Sequence, residues 1–168
     1  MNHKREHMHK DYGILRLFGG CAMAKSAVEK SCGAVVVKRK GSRIFVLIVR
    51  QMEGHWGFPK GHMKDYESEQ DTAAREVLEE TGVEFEFYSN FREETHYKLK
   101  TGSMKNVVYF MGRRTGGKEE PQENEISEVR WVPLTDAIIL LTYDTDAVVL
   151  RKAMRYIKDN IEEYSDIL

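Results

Sequence analysis

Apolar residues change their spacing several times along this chain, and each change marks an element. "CGAVVVKR" and "RIFVLIVR" are β-branched runs on either side of Lys40-Gly41-Ser42, which predicts a hairpin. "HWGFPKG" holds Pro59 between two glycines and predicts a loop. Over residues 67 to 81 the spacing turns helical. Ala73, Ala74, Val77 and Leu78 form the apolar stripe, and Gly82 stands where a C-terminal cap belongs. Three strand candidates follow: "VEFEFY" with strict alternation, "FREETHYKL" and "KNVVYFMGR", the last two flanking a turn at Thr101-Gly102-Ser103. "TGGKEEPQENE" predicts an acidic loop, and "EVRWVPL" a short strand. Thr135-Asp136 are placed to cap a short helix over "AIILL". Ala147, Val148, Leu150, Met154, Ile157 and Ile161 stripe a last helix from about residue 145 to 163. Strands and helices are interleaved with several hairpins, so the fold class is α/β (α+β), a mixed sheet with helices on both faces.

Residues 1–28 lack a sustained period, and His3, His7 and His9 crowd into the first nine positions. They read as a flexible N-terminal extension rather than a metal site, leaving residues 29–168 as one domain. Gly19-Gly20 codons can spell a purine-rich ribosome-binding site, and Met23 follows closely, so translation is expected to start at Met23.

Composition narrows the classes. The 168 residues suit a single domain, and 41% hydrophobic content supplies a core without staples. Basic and acidic residues nearly cancel at 26 against 27, so broad phosphate neutralisation along a nucleic acid is not expected; RNA 5′ ends are the exception kept open. Cys21 and Cys32 build no disulfide framework and no C-x-x-C, which points to a reducing, cytoplasmic setting. No run approaches the ~20 apolar residues of a membrane span. Nor does the N-terminus contain the apolar core of a secretory signal.

The chemistry concentrates in the predicted helix over residues 67 to 81. Glu76, Glu79 and Glu80 stand at i, i+3 and i+4 and share one helical face, where like charges repel by a few tenths of a kcal/mol per pair. Arg75 precedes Glu79 by four residues, the less favourable order for a helical ion pair. Stability explains such a face poorly unless it is merely solvated. A hard divalent cation explains it well, because Mg²⁺ prefers carboxylate oxygens and is commonly shared with phosphates.

The flanks favour the cation. From Gly61 to Val83 the chain fits G-x5-E-x7-R-E-U-x-E-E-x-G-U at every fixed position, with U aliphatic. This resembles the Nudix box, the mark of hydrolases acting on nucleoside diphosphates linked to another moiety. Outside the box, "SCGAVVV", "GHWGFPKGH", "ETHYKLKTGSMKNVVYF" and "ENEISEVRWV" are similar to the asymmetrical diadenosine tetraphosphate hydrolases. The resemblance implies an α/β/α sandwich with a mixed central sheet. It further implies divalent metal (Mg²⁺, with Mn²⁺ as substitute) held by Glu76, Glu79, Glu80 and the Gly61 carbonyl, with Glu67 and Arg75 in support.

The same resemblance implies hydrolysis by a metal-activated water attacking one phosphorus of a small-molecule nucleotide, so that diadenosine tetraphosphate gives ATP and AMP. Tyr97 matches a residue positioned to stack a base, and Lys105 a contact to the polyphosphate. Lys60 and His62 flank the metal-binding glycine and are candidate phosphate contacts. Trp56 and Tyr109 read as packing, and His55 and His96 as weaker candidates. Glu125 matches a distant glutamate that assists metal binding or activates water, although Ile126 stands where many relatives have His; Glu123 and Glu128 are its rivals. The general base stays open among Glu76, Glu80 and Glu125. Alternative substrates are (oxidised) nucleoside triphosphates, RNA 5′ ends and diphosphoinositol polyphosphates. A non-enzymatic nucleotide sensor could discard these acids, and this chain keeps them all.

Overall fold

A computed structural model describes residues 29–99 and 101–160. The expectations for the N-terminal extension, the Met23 start and Ile161 lie outside those residues. Seven strands form one mixed sheet: β1 (Glu29–Lys40), β2 (Arg43–Gln51), β3 (Trp56–Gly57), β4 (Lys60–His62), β5 (Val83–Lys98), β6 (Met104–Gly117) and β7 (Ile126–Pro133). The described residues also form three helices: α1 (Glu69–Thr81), α2 (Leu134–Leu140) and α3 (Asp144–Asp159).

The main path runs β3-β2-β1-β6-β5, with β4 added to β1 and β7 to β2. Among the described residues only β1 and β6 run parallel, and the other pairings are antiparallel. Alternation along β1 divides the core in two. Ala34 and Val36 meet Val77 of α1, while Val35 and Val37 meet Leu150, Ala153 and Ile157 of α3. Helices therefore cover both faces, as the mixed pattern predicts.

Differences from the sequence expectations have local causes. "VEFEFY" and "FREETHYKL" are one strand, because β5 stays on β6 through an irregularity between Phe87, opposite Gly112, and Arg92, opposite Phe110. "HWGFPKG" contributes two short strands instead of a bare loop. β3 pairs at Val49 and Arg50, and β4 pairs from Ser31 to Gly33. Helix α2 begins directly after Pro133, so Thr135 and Asp136 bond each other within its first turn and cap nothing. Two stripe positions face water, Leu78 at 49% exposure and Val148 at 45%. Val149 takes the buried place instead of Val148, and on α1 the inward positions beside Val77 belong to Glu76 and Glu80.

Helix α1 is closed at both ends. Ser68 accepts from the Asp71 amide while Asp71 accepts from the Ser68 amide, a reciprocal capping box. Its first turn is tied to the sheet by Glu69, which takes both forks of Arg92 at 2.7 and 2.8 Å and the Lys30 ammonium at 2.6 Å. Gly82 ends the helix at φ 68°, and a Cβ there would stand 2.2 Å from the Lys118 carbonyl oxygen. Replacing Gly82 with Ala should lower unfolding free energy by more than about 1 kcal/mol, read as an earlier urea midpoint. Gly41→Ala, at φ 62° with nothing within 4 Å of the added carbon, should cost less.

Candidate active site

Arg75 organises the acidic face of α1. Its Nε and Nη2 donate to the two oxygens of Glu67 at 2.6 and 2.9 Å, and Nη2 also reaches the His62 carbonyl at 3.0 Å. Nη1 donates to Glu76 at 2.6 Å and to Glu79 at 3.0 Å. The pair with Glu79 thus forms despite its unfavourable order on the helix. Glu67 is fixed further by the Thr72 hydroxyl at 2.8 Å and the Lys64 amide. Arg75 holds the Glu67 carboxyl down at about 2, and the same bonds raise the guanidinium's own pKa.

Glu76 and Glu80 are the buried acids of this helix, whereas Glu79 is exposed. The Lys60 amide donates to Glu80 Oε2 at 3.0 Å. Burial pushes the Glu80 carboxyl up to about 8, opposed by the nearby Lys60 charge and assisted by Glu76 and Glu125. Burial also raises Glu76, against the pull of Arg75. Gly61 lies directly against Glu76: a Cβ on Gly61 would stand 2.1 Å from that carboxyl carbon. The glycine is required because an acid packs on its Cα, a reason additional to carbonyl access.

Among the described residues, no three His, Cys, Asp or Glu side chains converge ready for a metal ion. Arg75 occupies Glu67, Glu76 and Glu79, and the Lys60 amide occupies Glu80. The donor set is nonetheless all oxygen, two of its members buried and raised in pKa chiefly by that burial, with the charges of neighbouring acids adding to the rise. That chemistry fits a hard cation, which would relieve the repulsion and favour the ionised forms.

Glu125 lies in the loop after β6, exposed, with its carbonyl accepting from the Met52 amide. Its charge acts on both Glu76 and Glu80, whereas Glu128 is taken up by Arg130 on β7. The loop is sewn to α1, since the Glu120 amide donates to the Thr81 carbonyl and the Gln122 amide to the Glu80 carbonyl.

Tyr97 and Lys105 are register partners on β5 and β6. Tyr97 is half-buried, with its hydroxyl pKa raised by burial and then by Asp146 and Tyr143. Lys105 is also half-buried, its pKa lowered by burial and then by Lys60. His62 is exposed and bonds Glu29 at 3.2 Å. Tyr109 is a core residue that donates to Asp146 at 3.0 Å, and Trp56 packs on the same core beneath Arg130. His96 is exposed beside Glu94.

Two residues escaped the sequence reading. Tyr143 is 50% exposed with its ring 5.3 Å from that of His55, and Asp146 is a carboxylate only 5% exposed. Both follow α2 in a stretch with no motif. Thr142 binds that stretch to β3, where its hydroxyl accepts from the Trp56 amide and its own amide donates to the Trp56 carbonyl. No local signal marks either residue, and long-range pairing places them.

The two extreme carboxyls set opposite pH dependences. Glu80 holds its proton more tightly folded than unfolded, so its contribution to stability falls as pH rises from about 4.5 to about 8. Glu67 ionises more readily folded, so its contribution is lost as pH falls from about 4.5 to about 2. In chelator-treated protein the melting temperature should therefore decline from pH 5 to pH 8. Glu80→Gln should flatten that decline and leave the acid limb unchanged.

The NUDIX domain profile matches residues 29–155 of the chain. An asymmetrical bis(5′-nucleosyl)-tetraphosphatase of Caenorhabditis elegans is 28% identical over 130 residues, covering 74% of this chain and 94% of that protein. A solved binary complex of a C. elegans Ap4A hydrolase superposes with a TM-score of 0.72 at 26% identity, over 79% of this chain and 99% of that one. An 8-oxo-(d)GTP phosphatase of Mycolicibacterium smegmatis is 33% identical over 109 residues, 65% of this chain. The chain spans 33% of that phosphatase's length and 54% of a mutator protein's from Mycobacterium tuberculosis. With the box running from β4 through α1 to the start of β5 and the profile covering every described strand, the chain belongs to the Nudix hydrolases, pyrophosphatase enzymes by family.

Proposed function

We propose that this chain is a Mg²⁺-dependent dinucleoside polyphosphate hydrolase, with diadenosine tetraphosphate cleaved to ATP and AMP. The observation that carries the proposal is the joining of two unlike surfaces. The acidic face of α1 adjoins Lys60 and Lys105, and Tyr97 with Tyr143 lies beyond them. Aromatic faces accept a base and the two ammonium groups answer a phosphate chain, so a ligand spanning the sites has a base at one end and several phosphates. The C. elegans relatives support the same substrate class.

Nudix hydrolases generally use divalent metal ions. Glu76, Glu79, Glu80, Glu125 and the Gly61 carbonyl would hold the cation here, and Mg²⁺ (or Mn²⁺ in its place) would supply charge neutralisation and a more acidic water. Arg75 keeps Glu67, Glu76 and Glu79 in one array, a positioning role. Lys60 and His62 bracket Gly61 and meet the phosphate nearest the acids, and Lys105 meets one further along. In the reaction, one water oxygen bonds to phosphorus while one phosphoanhydride P–O bond breaks, and the water proton passes to a carboxylate. Glu76, Glu80 and Glu125 are the acceptors within reach of that role.

A second reading, hydrolysis of nucleoside triphosphates or oxidised nucleotides, is favoured by the 33% identity to the mycobacterial 8-oxo-(d)GTP phosphatase. No helix among the described residues is long and apolar enough to cross a membrane. The substrate is a small molecule, and a cytoplasmic setting follows from the cysteine usage.

Incubation with Mg²⁺ and diadenosine tetraphosphate, dGTP, 8-oxo-dGTP, 5′-triphosphate RNA or diphosphoinositol pentakisphosphate, followed by chromatography, decides among these substrates. ATP plus AMP from the first, at the highest kcat/KM, is the expected outcome. A preference for 8-oxo-dGTP establishes the second reading instead. Glu79→Gln and Glu80→Gln should each lower kcat by two orders of magnitude or more with a cooperative melt retained. Near wild-type turnover at saturating Mg²⁺ removes the residue concerned from the site.

A further inference from the structure

Ser31 presents a buried hydroxyl that nothing in the fold uses. The residue is 0% exposed, and its Oγ has no hydrogen-bond partner. Such a group ordinarily finds a partner or is replaced by an apolar one, because an unmade bond lowers stability. Position explains its retention. Strand β1 keeps unbroken register with β6 from Glu29 to Val37, so alternation places Ser31 on the face of Gly33, Val35 and Val37, away from α1. A Cβ on Gly33 would stand 2.5 Å from Lys60 Cβ, which puts the Lys60 side chain on that same face.

The two lysines beside Ser31 are hydrogen-bond donors, and its Oγ bonds none of its neighbours. Its direct partners are His62 on β4 and Val107 on β6, with Lys60 and Lys105 on the diagonals. An ammonium group donates and never accepts, and Val107 does neither. The carboxylate of this group, Glu29, is engaged by His62 at 3.2 Å. The Ser31 hydrogen consequently has no acceptor until one arrives from outside. The Lys60 and Lys105 side chains on the diagonals are flexible stems that can move aside.

We infer that the Ser31 hydroxyl is a phosphoryl-binding donor, the floor of an anion subsite completed by Lys60 and Lys105. It rests on the polyphosphate reading of the same cleft and deepens it: the phosphate chain crosses β4, with the acids of α1 on one side and Ser31 on the other. Serine here trades stability of the free protein for affinity, as binding sites do.

Ser31→Ala tests this, since it removes one oxygen and adds no bulk. The probes are inorganic tripolyphosphate and ATP for binding, by calorimetry and thermal shift, and diadenosine tetraphosphate with Mg²⁺ for turnover. The expected result is a ligand-free melting temperature raised by about 2–4 °C. The tripolyphosphate Kd should rise about tenfold, as for a lost hydrogen bond to a charged group. A raised or lowered melting temperature with unchanged Kd overturns the assignment, since the hydroxyl is then a packing feature alone. If wild-type protein hydrolyses diadenosine tetraphosphate and the variant matches it in both Kd and KM, Ser31 is dismissed while the function stands. If wild type is inert towards that substrate yet binds tripolyphosphate through Ser31, the substrate proposal fails and the anion subsite stands.

Discussion

The guanidinium of Arg75 is the constraint on which the site depends. It bridges Glu67, Glu76, Glu79 and the His62 carbonyl, joining the loop before α1, the helix itself and the end of β4. Without it, three glutamates on one helical face would repel each other, two of them away from water. A planar group with five donors can serve that many acceptors at once, and a lysine cannot. The guanidinium therefore holds Glu67, Glu76 and Glu79 around itself from within the chain.

Beneath that array, the sheet does the sorting. Odd-numbered residues from Ser31 to Val37 on β1 look towards α3, and the even-numbered ones between them towards α1. β4 repeats the division on a smaller scale, with Gly61 against Glu76 and Lys60 facing the other way. Two short strands that a Pro-Gly pattern disguises as loop thus hold the acids of α1 and the lysine beside them in fixed relation. The capping box, the Glu69–Arg92–Lys30 cluster and the left-handed Gly82 keep α1 from sliding against them.

Much of this was legible in advance where the signal is local. The hairpin at Gly41, helix α1 with its glycine stop, and the box from Gly61 to Val83 all depend on residues near one another in the chain. Legibility failed where distant pairing decides. β5 reads as two strands because its alternation breaks near Phe91, yet pairing with β6 carries it through. Leu78 reads as core, but the helix turns Glu76 and Glu80 inward and leaves Leu78 in water. Tyr143 and Asp146 carry no motif, and their stretch is placed near Tyr97 by the bonds of Thr142 to Trp56.

One backbone detail reaches further than its size suggests. Glu80 accepts the Gln122 amide on its carbonyl and the Lys60 amide on its carboxylate, so a single residue is the common hinge pin of two segments on opposite sides of the helix. Between Gln122 and Glu125 the spacing is in effect a ruler, and a single insertion there would swing the fourth acid out of step with the helix while leaving every box position intact.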